Sequence, residues 1–321
     1  MPYLSTRASL LAHDVERWNF RQKLKEPKVP LALIRVITSR RRRTTLEIRA
    51  GYDIAYQCYQ DVPMVFLLNV HPSRERDLLT PQQMTISPDV IYRQGRDAFG
   101  NVWTRLIAPA GLLEIRSEFL IRDSGLPDEV APGARQWEVD ELPDEILPLL
   151  YGSRYCDTQK LINLAWSRFG STQGGWARVQ AICDYVHERL QFGYHHARGD
   201  RTASEGHEER IGVCRDFAHL AISLCRSMNI PARYCTGYLG DIGVPKDPAP
   251  MDFSAWFEAF LDGRWYTFDA RHNIPRIGRI VMARGRDAAD VAISTQFGAA
   301  SLARFTVVTE EESENHFTAA A

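Results

Sequence analysis

One short stretch decides the fold of this chain: Gly212-Val213-Cys214-Arg215-Asp216-Phe217. It places a cysteine at the start of a segment whose apolar residues recur at helical spacing as far as Met228, so we predict a helix that begins at Cys214. A side chain in the first helical turn lies among unpaired backbone N–H groups, at the positive end of the helix dipole. Because that environment favours thiolate over thiol, Cys214 is a candidate nucleophile. From position alone, a small buried cysteine is an equally good interpretation.

The composition is typical of a globular protein. The chain has 321 residues, of which 45% are apolar and 25% charged, and this length is enough for two ordinary domains or one with a large insertion. Its six cysteines form no CxxC pair and have no zinc-ligand spacing, which favours reduced thiols. The apolar stretch nearest the N-terminus is too short to span a bilayer. We therefore expect a cytoplasmic protein with no membrane span.

Positive charge is concentrated in the first residues of the chain. Residues 1–45 contain 11 Lys/Arg against 3 Asp/Glu and include the run Arg40-Arg41-Arg42-Arg43. Basic runs of this kind bind nucleic acid or anionic membranes. This one has no interleaved aromatic residues and no sustained helical or strand period. We interpret residues 1–44 as a flexible extension and expect no nucleic-acid partner.

The pattern of apolar residues changes along the chain. Short β-like runs separated by turn signals fill residues 45–122 and predict an all-β, sandwich-like domain. Residues 123–154 are rich in Pro, Asp and Glu, which is typical of a linker with few contacts across it. A core of helices and strands follows over residues 155–300, and residues 301–321 form a C-terminal strand and acidic tail. The predicted fold class is therefore α+β.

Two other cysteines fit packing better than chemistry. A helical stripe over residues 176–190 places Cys183 in the core. Cys225 lies close to three whole turns after Cys214, on the same buried face but far from the helix start. The polar, charged segment 195–210 between these helices is expected to be a loop.

A hairpin signal follows the cysteine helix. Asp262-Gly263 separates two aromatic-rich runs, residues 254–261 and 264–271. An Asp-Gly pair suits a two-residue type I′ turn, and the turn fixes the register so that Phe257 faces Phe268. If both runs stay extended, Asp269 lies diagonally across from Ser254 on one face of the hairpin.

The order of these elements resembles the core of bacterial transglutaminase-like proteins, which are related to papain. A cysteine opens a helix, a strand follows, and an aromatic hairpin then carries an aspartate in its second strand. The resemblance covers roughly residues 155–300, and the β-rich part before it is similar to the N-terminal β domain of many bacterial members. The motifs that carry it are Arg-Ile-Gly-Val-Cys-Arg-Asp-Phe-Ala-His-Leu at 210–220, Asn-Ile-Pro-Ala-Arg-Tyr at 229–234, Ala-Trp-Phe-Glu at 255–258 and Trp-Tyr-Thr-Phe-Asp at 265–269.

The resemblance implies a Cys-His-Asp triad, with Cys214 as the nucleophile and Asp269 orienting an imidazole. The position of that imidazole, immediately before Ala-Trp, is Ser254 in this chain. Serine cannot accept the thiol proton near neutral pH. The chain therefore departs from the family at the centre of the mechanism.

Three interpretations of this departure are open. In the first, another histidine supplies the imidazole, and His272 is the leading candidate provided that the chain bends after Asp269. His195 and His196 are weaker candidates. In the second, the helix end alone keeps the thiolate of Cys214 populated, and catalysis is slow. In the third, the core has lost its chemistry and has become a peptide- or protein-binding module.

Where the chemistry is retained, the resemblance implies acyl transfer on a peptide or protein substrate. Cys214 attacks an amide carbonyl to give a thioester, and water or an amine resolves it, so protease, amidase and transglutaminase differ in the final acceptor. The backbone N–H of Cys214 is a natural oxyanion donor. The scheme requires no metal or organic cofactor. The predicted catalytic residues are Cys214, Asp269 and His272.

Overall fold

Fourteen strands and four helices form the regular structure of the described chain. The protein is described here by a computed structural model covering residues 45–312, so the basic extension 1–44 and the end of the acidic tail, 313–321, lie outside the described residues. The strands are β1 Leu46–Cys58, β2 Val62–Phe66, β3 Thr85–Ser87, β4 Tyr92–Arg96, β5 Val102–Ala108, β6 Gly111–Asp123, β7 Gln191–Phe192, β8 Ile211–Gly212, β9 Ala232–Tyr238, β10 Ser254–Leu261, β11 Arg264–Phe268, β12 Ile280–Gly285, β13 Ser294–Gln296 and β14 Ala300–Glu311.

Two of the antiparallel sheets form the predicted β-rich part. Their strand orders are β14-β1-β6-β3 and β13-β2-β5-β4. Every second residue of β6 from Leu113 to Asp123 is buried, because alternate side chains of a strand point to opposite faces. Both sheets contribute to one buried cluster, for example through Ile115 of β6 and Phe66 of β2. The predicted combination of a β-rich N-terminal region and a mixed core is confirmed.

The last strands of the chain return to the first sheets. Strand β14 pairs antiparallel with β1, so that Tyr52 faces Val307, and β13 pairs with β2. The β-rich part therefore includes residues that follow the core in sequence.

Four helices build the rest of the core. They are α1 Thr158–Phe169, α2 Trp176–Arg189, α3 Ala203–Glu209 and α4 Cys214–Ser227, accompanied by short 3-10 segments at Pro72–Asp77, Val139–Glu141, Asp144–Leu150 and Tyr194–His196. Helix α4 begins at Cys214, as the sequence predicts. It contacts α1, α2, α3, β9 and β10, and every residue from Asp216 to Ser227 is buried. It is the central helix, and only its first turn is partly exposed.

The hairpin that follows has the predicted register. Strands β10 and β11 pair with Phe257 opposite Phe268 and Leu261 opposite Arg264, within the sheet β11-β10-β9-β12. Asp262 and Gly263 have φ values of 49° and 80°, the positive φ that a type I′ turn requires at both positions. The ladder ends at Phe268, however, so the predicted continuation of the second strand to residue 271 is wrong.

The segment between α2 and α4 is not the continuous loop expected over residues 195–210. Residues Ala203–Glu209 form α3. The hydroxyl of Thr202 accepts the N–H of Glu205, and the Glu205 carboxylate accepts the N–H of Thr202, which is a capping box. This reciprocal pair satisfies backbone donors at the helix start, and the Thr-x-x-Glu signal was present in the sequence.

Residues 123–154 are not free of contacts. Ile146 and Leu149 are buried. The Trp137 ring packs edge-on against Phe260 at 5.7 Å, and the carbonyl of Ala134 accepts the N–H of Trp176 at 2.9 Å. The expectation of few contacts is wrong, because apolar residues spaced among the prolines and acids reach the hairpin and α2. The domain boundaries drawn from the sequence stay predictions, since residues 45–312 fall within one compact unit.

No helix between residues 45 and 312 combines the length and the apolar character that crossing a membrane requires.

Candidate active site

The start of α4 is held by a buried carboxylate. Oδ2 of Asp216 accepts the N–H of Val213 and a hydrogen bond from Nη1 of Arg201, each at 2.9 Å. A Cβ on residue 212 would lie 2.7 Å from Cβ of Asp216, so only glycine fits there. The glycine and the aspartate that flank Cys214 in the motif therefore position the helix start, and Asp216 caps it.

Cys214 is the one cysteine of the six that is partly exposed; the others are buried, at positions Cys58, Cys156, Cys183, Cys225 and Cys235. The predictions that Cys183 and Cys225 pack in the core are confirmed. Exposure therefore distinguishes the cysteine at the helix start from every other thiol of the chain.

The surroundings of Cys214 disfavour its thiolate in the free protein. Partial burial raises the pKa of the Cys214 thiol to about 11, against the opposing effects of the Arg271 charge and a backbone hydrogen bond from Ala255. The negative charges of Asp252 and Asp269 raise this pKa further. Desolvation of the sulfur therefore opposes the effect of the helix end, and the interpretation in which the helix end alone keeps the thiolate populated stays a prediction. We therefore expect that deprotonation of Cys214 at neutral pH needs a base.

Asp269 and His272 are joined directly. Nδ1 of His272 lies 2.8 Å from Oδ2 of Asp269, and Oδ1 accepts the backbone N–H groups of Arg271 and His272 at 3.0 Å each. The N–H of Asn273 closes the turn onto the carbonyl of Asp269 at 2.8 Å. These bonds end β11 at Phe268 and produce the bend that His272 needs to reach the carboxylate.

Asp269 also belongs to an ion-pair network that includes Arg279 and Asp128. Nη2 of Arg279 donates to Oδ2 of Asp269 at 2.9 Å, and Nε of Arg279 donates to Asp128 at 2.9 Å. Burial opposes ionisation of Asp269, but Arg279 and His272 hold its pKa well below the usual range. The carboxylate is therefore ionised and immobile. Sequence reasoning missed Arg279 and Asp128, since nothing in their local pattern marks the pairing.

The other nitrogen of His272 is available. Its side chain is 22% exposed, and within residues 45–312 nothing forms a hydrogen bond with Nε2. Since Nδ1 donates to the carboxylate, Nε2 carries the lone pair of the neutral ring. His272 therefore has the arrangement of a general base, with one nitrogen oriented and the other free.

Ser254 occupies the position that the resemblance assigns to histidine. Its side chain is buried, and in the described part of the chain its Oγ has no hydrogen-bond partner. It makes no bond to Asp269, whose oxygens are taken by His272, Arg271 and Arg279. The hydroxyl thus supplies no proton acceptor to the site.

The three predicted site residues are brought together to different degrees. Asp269 and His272 are in contact, whereas Asp269 acts on the Cys214 sulfur through its charge. Among residues 45–312, no hydrogen bond joins Sγ of Cys214 to His272. The weaker candidates His195 and His196 lie in the 3-10 segment, with ring centroids 3.9 Å apart. Across the same described range, neither forms a hydrogen bond with Cys214.

No metal centre is formed by the described residues. Between residues 45 and 312, no group of three or more His, Cys, Asp or Glu side chains is placed to hold an ion.

The fold and the site are those of a cysteine-enzyme superfamily, and comparison with known proteins identifies which one. The model of the transglutaminase-like superfamily matches residues 165–270. The crystal structure of a candidate cysteine protease from Cytophaga hutchinsonii is similar over 84% of this chain and 91% of that chain, with 30% identity and a TM-score of 0.69. The chain belongs to the transglutaminase-like superfamily.

Two further proteins are similar to parts of the chain. An uncharacterised protein of Mycobacterium leprae is 38% identical over 88 residues, which cover 25% of this chain and 30% of that protein. The match therefore spans less than a third of that relative. The periplasmic domain of TgpA from Pseudomonas aeruginosa is 14% identical, over 73% of this chain and 92% of that one, with a TM-score of 0.33. That likeness is too low to support a comparison of sites.

Proposed function

We propose that this protein catalyses acyl transfer from amide bonds of peptides or proteins, through a thioester on Cys214. The observation that carries the proposal is the Asp269–His272 pair, 2.8 Å apart and with Nε2 free among the described residues, together with a partly exposed Cys214 whose pKa the Asp269 charge raises. A cysteine, an imidazole and a carboxylate that orients the imidazole are the parts that thiol acyl transfer needs.

The chemistry proceeds in two halves. Nε2 of His272 takes the thiol proton as Sγ of Cys214 attacks the amide carbon, and the carbonyl electrons move to the oxygen. The tetrahedral intermediate collapses to a thioester, the C–N bond breaks, and the imidazolium gives its proton to the leaving nitrogen. Water or an amine then attacks the thioester with His272 again as base, and the sulfur leaves and is reprotonated.

Three groups support these steps. Asp269 holds the ring by Nδ1 and stabilises the imidazolium, and Arg279 keeps Asp269 ionised. The N–H of Cys214 is the first of α4 and has no acceptor within the helix, so it is free to bind the developing oxyanion. Because burial raises the pKa of Cys214 to about 11, proton removal has to accompany the attack.

Two observations favour a second candidate function. Ser254 stands where the family resemblance expects the imidazole, and the thiol of Cys214 is not activated in the free protein. In this alternative the domain binds peptides without turning them over. This alternative predicts peptide affinity that survives the loss of the sulfur.

An assay with both final acceptors separates these functions. Fluorescein-labelled casein reports hydrolysis, and incorporation of dansylcadaverine into casein reports amine transfer. We expect turnover by the wild type in at least one assay, none by Cys214→Ala and a rate about 10²–10⁴ lower for His272→Ala, while His195→Ala is unchanged. Casein binding without turnover in every variant would establish the binding function instead. Turnover that survives in Cys214→Ala would overturn the proposal.

A further inference from the structure

An arginine lies beside the nucleophile. The guanidinium carbon of Arg271 is 3.7 Å from the ring centroid of Phe192. Phe192 pairs with Gly212 in the short parallel ladder of β7 and β8, two residues before Cys214. The positive charge is therefore stacked on β7, which pairs with the segment that leads into α4, and it lowers the pKa of the Cys214 thiol.

The backbone of Arg271 is fixed from both sides. Its N–H donates to Oδ1 of Asp269 at 3.0 Å, and its carbonyl accepts a hydrogen bond from Nδ1 of His187 at 2.9 Å. The carboxylate that orients His272 thus also determines where the Arg271 side chain starts.

The guanidinium of Arg271 has no counter-ion at contact distance. Among residues 45–312, no carboxylate oxygen lies within 4.0 Å of it, whereas the nearby Arg279 pairs with Asp128 and Asp269. The titratable groups on which the charge of Arg271 acts are Tyr194, Cys214, Asp252 and Arg276, and the side chain of Tyr194 also hydrogen bonds to it. The tyrosine and the thiol are neutral at neutral pH, and the carboxylate of Asp252 is outside contact distance. A half-buried, stacked guanidinium without a carboxylate partner is suited to bind a planar anion through its N–H donors.

We infer that Arg271 binds a carboxylate of the substrate next to the bond that Cys214 attacks, so that the preferred substrates are acidic peptides. The identification of the ligand as a substrate rests on the proposed function, whereas the anion site itself does not. The carboxylate is either an Asp or Glu side chain or the free α-carboxylate of a peptide end. Both present the same two oxygens to the fork of the guanidinium.

Alkylation of Cys214 by two reagents tests the anion site without requiring turnover. Iodoacetate is an anion and iodoacetamide is its neutral counterpart, and both react with the same thiolate. Any change in the pKa of Cys214 therefore cancels in the ratio of their rates. Mass spectrometry of the peptide that contains Cys214 gives both rates.

We expect Arg271→Met to lower the iodoacetate-to-iodoacetamide ratio about tenfold, the value of one lost charge-assisted hydrogen bond. Arg271→Lys should keep most of the ratio. Arg105→Met is the matched control, since Arg105 is exposed and also lies over an aromatic ring, that of Trp103, at 5.8 Å in the β-rich part. A ratio that is the same in Arg271→Met and wild type would overturn the anion site, whatever the protein's activity.

Protection of Cys214 from iodoacetamide then identifies the source of the carboxylate. The probes are hexapeptides with one Glu and an amidated C-terminus, with Gln and a free C-terminus, and with Gln and an amidated C-terminus. Protection by the first assigns a side-chain carboxylate, and protection by the second assigns a chain end. Equal protection by all three, or by none, would overturn the assignment to acidic peptides, even where the reagent ratio depends on Arg271.

Discussion

His272 and Asp269 are three residues apart and form a hydrogen bond of 2.8 Å across one turn of chain. The turn exists because Oδ1 of Asp269 accepts the N–H groups of the two residues that follow Ala270. The same carboxylate therefore ends the strand and orients the ring. An imidazole thus reaches Asp269 from a turn that follows it, although the neighbouring strand offers only Ser254.

Removal of the imidazole tests its role as base. We predict that His272→Ala lowers kcat/KM for hydrolysis or amine transfer by about 10²–10⁴, the usual contribution of a positioned general base. Steady-state rates on casein measure the loss. His195→Ala should leave the rate unchanged. A His272→Ala variant as active as wild type would show that the base lies elsewhere.

The buried hydroxyl of Ser254 is predicted to be dispensable. Its Oγ has no hydrogen-bond partner among the described residues, so Ser254→Ala should leave both the rate and the melting temperature close to wild type. Ser254→His in a His272→Ala background should restore part of the lost rate, since the ring would stand where the family resemblance places it. A large loss of activity in Ser254→Ala, in protein that melts normally, would give the serine a direct role.

The pH dependence of alkylation reports the state of the sulfur. Burial raises the pKa of Cys214 to about 11, so its rate with iodoacetamide should rise through the alkaline range and still be increasing at pH 9. Cys183, Cys225 and Cys235 should react more slowly at every pH, because they are buried. A rate for Cys214 that is already constant near pH 7 would mean that the thiolate is populated there.

The sequence predicted those features that local rules determine. The Asp262-Gly263 turn set the hairpin register, because an Asp-Gly pair favours the two-residue type I′ turn, whose twist matches that of the strands. The apolar stripe and its glycine located the first residue of α4. The capping box at Thr202 likewise marks the start of α3. The polar composition of residues 195–210 favoured a loop instead, so this helix was not predicted.

The support of the site was not predictable from local patterns. Arg279 bridges Asp269 and Asp128, and Asp128 lies 151 residues before Arg279 in the chain. A pairing over that separation depends on how residues 123–154 fold back onto the hairpin, which their composition does not indicate. The charge of Arg271 on Cys214 likewise follows from the bend after Asp269, and a straight strand would have directed it elsewhere.

Loss of Arg279 should destabilise the fold strongly. Arg279→Met leaves Asp269 and Asp128 without their shared cation, and a buried ion pair broken on one side costs about 3–5 kcal/mol. Urea unfolding measures the change in the free energy of unfolding. The matched control is Arg264→Met, which removes the exposed pair with Glu129 and should cost about 1 kcal/mol or less. Equal losses in the two variants would contradict the buried network.

The lowered pKa of Asp269 predicts a specific acid sensitivity. Its ionised form stabilises the folded state, so this contribution is complete above the unfolded pKa, about 3.9, and is lost as pH falls towards the lower folded pKa. The Asp269→Asn variant has an amide side chain that does not titrate. Its stability should be lower than that of wild type at pH 7 but fall less steeply below about pH 4. Parallel pH profiles for the two proteins would contradict this assignment.

The most direct test is the trapping of the acyl group. Wild type, Cys214→Ala and His272→Ala are treated briefly with p-nitrophenyl acetate, quenched in acid and analysed by peptide mass spectrometry. We predict an acetyl group on Cys214 of the wild type that hydroxylamine removes, none at residue 214 of Cys214→Ala, and much slower acetylation of Cys214 in His272→Ala. Acetylation of wild-type protein only on other residues, with Cys214 unmodified, would contradict a thioester mechanism.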